Sequence, residues 1–190
     1  MDHVLLTGKL VTLTAVNPDT DAEIIARWSR DSQFWRLAHT TPAYPELARK
    51  RKLHIEDRGL DFKGFAIRTL VADQLIGLIG LYTIFQLHHE AFMGIQIGER
   101  DYWGKGYGTD ALQALLRYAF DELNLQRVSL SFLEGNERAM RSYEKCGFRY
   151  EGRQRHAWAY DGRRWDELYM GLLRDEWRAI NNDQWQMTKR

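Results

Sequence analysis

The chain is poor in proline, nearly devoid of cysteine, and has no long apolar run. Its 190 residues include three prolines and a single cysteine, Cys146. One cysteine excludes an intrachain disulfide and any cysteine-rich metal cluster, so no metal is expected, and it fits a reducing, cytoplasmic setting. No segment approaches the roughly eighteen apolar residues that a membrane-spanning helix requires. The opening stretch, Met1-Asp2-His3-Val4-Leu5-Leu6, lacks the basic-then-apolar pattern of a secretory leader. Association with a membrane is therefore not expected. An excess of one charge is also missing: 27 basic residues against 26 acidic ones give +1. No overall field favours nucleic acid or an anionic surface. The local run Arg49-Lys50-Arg51-Lys52 reads as a solvated helix face, so nucleic acid is not an expected partner. Repeats and low-complexity linkers are absent too. With 44% hydrophobic residues, residues 1–190 are long enough for one buried α/β core and short for two.

Leu10–Val16 is rich in β-branched residues and reads as a strand closed by Asn17-Pro18-Asp19. Helical patterning follows from Asp21 to Arg30. The segment from Asp31 to Gly59 is charged and aromatic, with a helix expected over Glu46–Asp57. Phe65–Leu70 and Leu75–Ile84, joined around Ala72-Asp73-Gln74, predict an antiparallel hairpin. His88 and His89 fall on a turn before a strand over Ala91–Gly98. From Thr109 to Leu123, residues Leu112, Leu115, Leu116, Ala119, Phe120 and Leu123 follow the spacing of a core-facing helix. A strand (Arg127–Leu133), a helix (Glu137–Cys146), two long strands (Phe148–Tyr160 and Arg164–Leu173) and a helix from Arg174 complete the order.

Between the strand ending at Gly98 and the Thr109 helix lies Tyr102-Trp103-Gly104-Lys105-Gly106-Tyr107-Gly108-Thr109. Three glycines in five positions at a helix N-terminus expose backbone N–H groups where the dipole is positive, which suits a phosphate or pyrophosphate. A P-loop requires Ser or Thr after its lysine, but Gly106 follows Lys105; a dinucleotide fingerprint wants glycine where Thr109 stands. The loop resembles instead the acyl-CoA pyrophosphate loop, Q/R-x-x-G-x-G/A, of the GCN5-related N-acetyltransferase (GNAT) superfamily. Trp103 stands at the Q/R position, as in the branch containing ribosomal-protein-alanine and spermidine acetyltransferases.

A second run, Asn136-Glu137-Arg138-Ala139-Met140-Arg141-Ser142-Tyr143-Glu144-Lys145-Cys146-Gly147-Phe148, is similar to the N-x-x-[AS]-x-x-x-[YF]-x-K-x-G-F signature of the same superfamily. Asn136 and Tyr143 are about 20° out of alignment on a helix and roughly 10 Å apart along it, so both can face one cleft. Asn136 alone can be a helix cap and Tyr143 alone a core residue. Their occurrence after the glycine loop, with a strand between, strengthens the resemblance.

The resemblance covers nearly the whole chain and implies an α/β (α+β) GNAT fold. Its central sheet would be mixed and mostly antiparallel, with about seven strands, flanked by helices and splayed at the acyl-CoA site. It implies acetyl-CoA as co-substrate and an amine acceptor as partner. Trp103, Gly104, Lys105, Gly106, Tyr107, Gly108 and Thr109 would hold the pyrophosphate. The main chain of Ile95, Gln96, Ile97 and Gly98 would run beside the pantetheine arm, with one N–H aimed at the thioester oxygen. Asn136 and Ala139 would complete the donor site, and Tyr143 would protonate the departing thiolate. Cys146 reads as a packed helix-end residue rather than a nucleophile. A homodimer is common in such folds.

The proton path departs from many relatives, which carry a glutamate two residues before the strand glycine; before Gly94 that position is Phe92. Glu90 shares the side of Phe92 by strand alternation and is the candidate base; Glu134 or a water chain is the alternative. Neutralising a lysine-like amine at pH 7 costs roughly 4.6 kcal/mol, against about 1.4 for an α-amine, so an N-terminal α-amine or a small-molecule amine fits best. Arg30 and Arg36 among Trp28, Phe34 and Trp35 suit a polycation poorly. Arg153, Arg155, Trp158 and Tyr160 are candidates for the acceptor cleft or for a dimer contact. Two other readings stay open: an idle acyl-CoA-binding sensor domain, and an acyltransferase with a longer acyl donor.

Overall fold

Seven strands form one sheet in the order β1-β2-β3-β4-β5-β7-β6. This computed structural model describes residues 5–39, 41–57 and 62–187, with side chains through residue 181; the readings at Met1–Val4 and Gly59 lie outside the described residues. In chain order the elements are β1 (Val11–Thr14), α1 (Pro18–Trp28), α2 (Ser32–Ala38), α3 (Ala48–Glu56), β2 (Lys63–Thr69), β3 (Leu75–Phe85) and β4 (Glu90–Ile97). Then come α4 (Tyr107–Arg117), β5 (Arg127–Leu133), α5 (Glu137–Lys145), β6 (Arg149–Tyr160), β7 (Arg163–Leu173) and α6 (Arg174–Met187). None of the described helices is long and apolar enough to cross a membrane.

The expected strands are present to within a few residues. Helix α2 was not anticipated, because its seven residues bury only Phe34 and Trp35, too few for a period to show. It begins where the Asp31 carboxylate accepts the Phe34 N–H at 3.1 Å. The basic run at 49–52 is not wholly solvated: Arg51 is buried and ion-paired to buried Glu46, while Arg49 and Lys50 remain exposed. His88 and His89 are exposed in the turn before β4.

Pairing is antiparallel between β1 and β2, β2 and β3, β3 and β4, β5 and β7, and β7 and β6. Strands β4 and β5 are parallel, and α4 is the crossover that parallel neighbours require. Their pairing lasts only from Glu90↔Arg127 to Phe92↔Ser129. Beyond it β4 continues to Ile97 and β5 to Leu133 without pairing to each other, so the sheet splays.

Helix α4 covers one face of the sheet with Ala111, Leu112, Leu115 and Leu116, then runs into a π-helical turn (Tyr118–Glu122) that buries Ala119 and Phe120. A smaller core of Ile25, Trp28, Phe34, Ala66, Leu75 and Leu78 lies under α1 and α2. The carboxylate of Asp110, 7% exposed, accepts the N–H groups of Lys9, Leu10 and Val11 at 2.9, 2.8 and 3.0 Å. That contact ties the entry of β1 to the first turn of α4. At the other edge, the β6 register slips at Tyr150/Gly152 and again between Gln154 and Trp158. There His156 takes φ +54° and gives its N–H to Asp166 at 2.8 Å.

Candidate active site

Gly104 and Gly106 hold φ +73° and +90°, the left-handed region that glycine enters without a Cβ clash. Gly106 is the N-cap of α4 and supplies no side-chain hydrogen bond. Asp110, the acidic residue of the first turn, spends its carboxylate on β1. Consequently no backbone N–H from Gly104 to Thr109 donates to a carbonyl or side chain among the described residues. These donors stand at the positive end of the helix, an arrangement that binds anions.

They border a cavity of about 270 Å³ whose walls include Trp103, Gly104, Gly106, Gly108 and Thr109, the β4 residues Ile95, Gln96 and Ile97, and Asn136 and Ala139 of α5. Arg138, Arg141 and Lys145 line it too, spaced i, i+3, i+7 on one helical face. The Arg138 guanidinium lies 3.7 Å from the centre of the Trp103 ring, and burial, with the charge of Arg100, lowers its pKa. The Trp103 indole donates to the Ile97 carbonyl at 2.7 Å.

Asn136 caps α5, its Oδ1 accepting the Ala139 N–H at 3.3 Å. It thus has both of the roles considered for it, cap and cavity wall. Tyr143 is 6% exposed and packs between Phe132 and Phe148, with ring centres 5.5 and 6.0 Å away. Its hydroxyl has no hydrogen-bond partner among the described residues. Burial, then the neighbouring Tyr82 and Cys146, hold its pKa well above that of an ordinary phenol. Cys146 is buried, with its thiol pushed up to about 12 by burial, which suits packing and not nucleophilic attack.

A second cavity, about 720 Å³, lies on the other side of Tyr143. Leu37, Ala38, Ile95 and Tyr143 line both cavities, so the two meet in the splay between β4 and β5. The phase of β4 is set by Gly98, whose N–H donates to Ile76 of the β3 side at 2.9 Å. Alternation then turns the main-chain groups of Met93, Ile95 and Ile97 toward the gap. The Ile97 carbonyl is taken by Trp103, which leaves the Ile95 N–H as an open donor beside Tyr143.

The structure does not bring every expected residue to this junction. Glu90 lies on the same face of β4 as Gly94 but about 13 Å up the strand, at 3.3 Å per residue, and it lines neither cavity. Gly98 is also off the cavity wall: a Cβ there would come within 2.0 Å of the Trp28 ring, so packing against α1 requires the glycine. The Lys105 side chain is exposed, and Tyr107 packs on Tyr102 at 4.9 Å; neither lines the smaller cavity. Glu134 is bound by Arg153 at 2.7 Å outside the larger cavity. Trp158 and Tyr160 do line that cavity, whereas Arg153 bridges Glu134 and Asp166 instead.

Residues 11–149 match the acetyltransferase (GNAT) domain. The chain belongs to the GNAT family. A Bacillus subtilis protein named as a ribosomal N-acetyltransferase, YdaF, is 35% identical over 117 residues, 62% of this chain and 63% of that one. The matched stretch is thus under two thirds of that relative's length. A crystal structure of an acetyltransferase superposes with a TM-score of 0.79 at 28% identity, covering 89% of this chain and 96% of its own. The spermidine N-acetyltransferase of Vibrio cholerae, solved with CoA and spermine, gives a TM-score of 0.74 at 27% identity over 88% of this chain and 97% of its own.

Sequence reading missed several residues of this GNAT site. The basic stripe on α5 was open to detection, since Arg138, Arg141 and Lys145 repeat at helical spacing inside the signature itself. Leu37 and Ala38 were hidden with α2. Tyr82 and Glu167, both on the wall of the larger cavity, carry no sequence signal, because strand pairing alone brings them near Tyr143.

Proposed function

We propose that this GNAT protein is an acetyl-CoA-dependent N-acetyltransferase that passes acetyl directly to a primary amine, either a protein or peptide N-terminus or a small molecule. The observation carrying this reading is the meeting of the two cavities at Ile95 and Tyr143. The N–H groups from Gly104 to Thr109, with Arg138, Arg141 and Lys145, offer the pyrophosphate a cationic seat. The open edge of β4 offers the pantetheine amides partners. At the junction the thioester oxygen accepts from the Ile95 N–H, an interaction of the oxyanion-hole kind worth about 3 kcal/mol. The amine enters through the larger cavity, and Tyr143 gives its proton to the thiolate, a role its raised pKa supports by keeping the phenol protonated at neutral pH. A buried, unreactive Cys146 accords with a cytoplasmic setting and with the absence of an acyl-enzyme step.

The direct test is CoA release from acetyl-CoA with a panel of N-terminal peptides, amino sugars, aminoglycosides and polyamines. Turnover with at least one amine is expected; acetyl-CoA binding with no turnover would favour the idle sensor. A donor series of increasing acyl length should give its highest kcat/KM with acetyl-CoA. At the loop, Gly106→Ala places a Cβ at φ +90°, a penalty of about 1–2 kcal/mol. Calorimetry should show CoA affinity falling about tenfold, and unchanged affinity would remove this turn from the donor site.

A further inference from the structure

Among the described residues the larger cavity has one carboxylate on its wall, that of Glu167 on β7. It is held on two sides. The Ser131 hydroxyl of β5 donates to Oε1 at 2.7 Å, and the Tyr169 hydroxyl donates to Oε2 at 3.0 Å. Ser131 pairs with Tyr169 across the two strands, and Glu167, two residues before Tyr169, shares its face by strand alternation. The sheet therefore sets all three groups on one side. Tyr82, whose ring would touch a Cβ on Gly94 at 3.3 Å, lies close enough to feel the Glu167 charge and in turn acts on Tyr143. The same cavity also holds Arg36, paired to Asp161 at 2.7 Å, with the aromatic rings of Tyr160 and Trp158.

We propose that Glu167 receives the ammonium group of the acceptor and takes its proton, and that the acceptor carries a single ammonium next to a neutral or apolar body. The proposal rests on the transferase reading above. One carboxylate compensates one positive charge, and among the described residues the cavity wall offers no second acid to another ammonium. In the reaction, Glu167 takes one proton from the ammonium, and the freed nitrogen lone pair forms the N–C bond as the C–S bond breaks. The thiolate receives the Tyr143 proton, a second nitrogen proton restores the phenol, and the proton on Glu167 leaves to solvent.

The other titratable groups facing this cavity stay fixed over neutral and mildly alkaline pH. Burial, with the Arg51 charge, pushes His39 down to about 4, so it is neutral. Burial first raises the phenols of Tyr82, Tyr143, Tyr160 and Tyr169, so they keep their protons.

The test compares wild type, Glu167→Gln and Glu167→Asp, using a peptide with a free N-terminal amine and spermine as acceptors. Glu167→Gln keeps an oxygen for one of the two hydroxyls and offers an N–H to the other, which can accept it, so CoA affinity by calorimetry should stay within about twofold. At pH 7 its kcat/KM for the peptide should fall about 100-fold, the usual scale of a proton-transfer group. The deficit should shrink below tenfold by about pH 9.5, where the amine is already neutral in solution. Glu167→Asp should fall in between, and wild type should prefer the peptide to spermine. Wild-type activity in Glu167→Gln at pH 7, or a deficit independent of pH, overturns the role of Glu167. A preference for spermine overturns the single-ammonium acceptor. Wild type that binds acetyl-CoA yet acetylates no amine overturns the transferase reading, and this one with it.

Discussion

Replacing Tyr143 with phenylalanine should lower kcat by about 100-fold or more while acetyl-CoA affinity stays within about twofold. The substitution removes one oxygen from a ring fixed between Phe132 and Phe148, and that oxygen has no partner to strand among the described residues. Folding stability should therefore change little, which separates a chemical role from a structural one. The pH dependence follows from the raised phenol pKa. A group whose pKa lies above the ordinary value stays protonated as pH climbs through 10, so wild-type kcat should show no alkaline loss there from Tyr143. Steady-state rates with saturating acetyl-CoA, read by thiol release, check both statements. An unchanged kcat would take Tyr143 out of the proton path.

Asp110→Ala is the change expected to hurt the fold most. Its carboxylate satisfies three successive N–H groups. Stranding one buried and two part-buried donors that had a charged partner costs about 2–4 kcal/mol in total, or on the order of 10 °C in Tm for a domain of this size. Gly8 belongs to the same arrangement: a Cβ there would come 2.2 Å from the Asp110 carboxylate, so Gly8→Ala should act in the same direction. Thermal melts followed by circular dichroism measure both. Because Asp110 faces β1 and not the donor cavity, the folded fraction of Asp110→Ala should still bind CoA. A melt unchanged from wild type would show that β1 is anchored elsewhere.

Much of the site was legible because its signals are local. The glycines at 104, 106 and 108 and the Asn136–Phe148 run are contiguous segments whose chemistry depends on spacing within one turn or one helix. The strands β2 to β5 were legible for the same reason, from β-branched runs and turns. What stayed hidden depends on contacts made across the chain. Glu167 reaches the cavity only because β7 inserts between β5 and β6, an order that the linear sequence does not reveal. Glu90 shows the converse failure: alternation gave its side of β4 correctly but not how far along the strand the splay begins. Gly98 was assigned to the ligand by resemblance; in the structure it lies off the cavity wall, against the Trp28 ring. Asp110 escaped notice because a first-turn acid looks like a routine complement to the helix dipole.

The two borders of the sheet bear on how copies of this chain meet. A free strand edge offers unpaired N–H and C=O groups to any neighbour, and long flat edges invite sheet-to-sheet polymerisation. Here β1 is only four residues long, and the donors just before it are already claimed by Asp110. Strand β6 is long, but its two register slips and the left-handed turn at His156 cut its outer row into short pieces of different twist. Neither border presents the long, regular row of free groups that templates a matching strand, so the two ends of the sheet disfavour fibre growth along the strands, and self-association through helices or sheet faces is the expected mode.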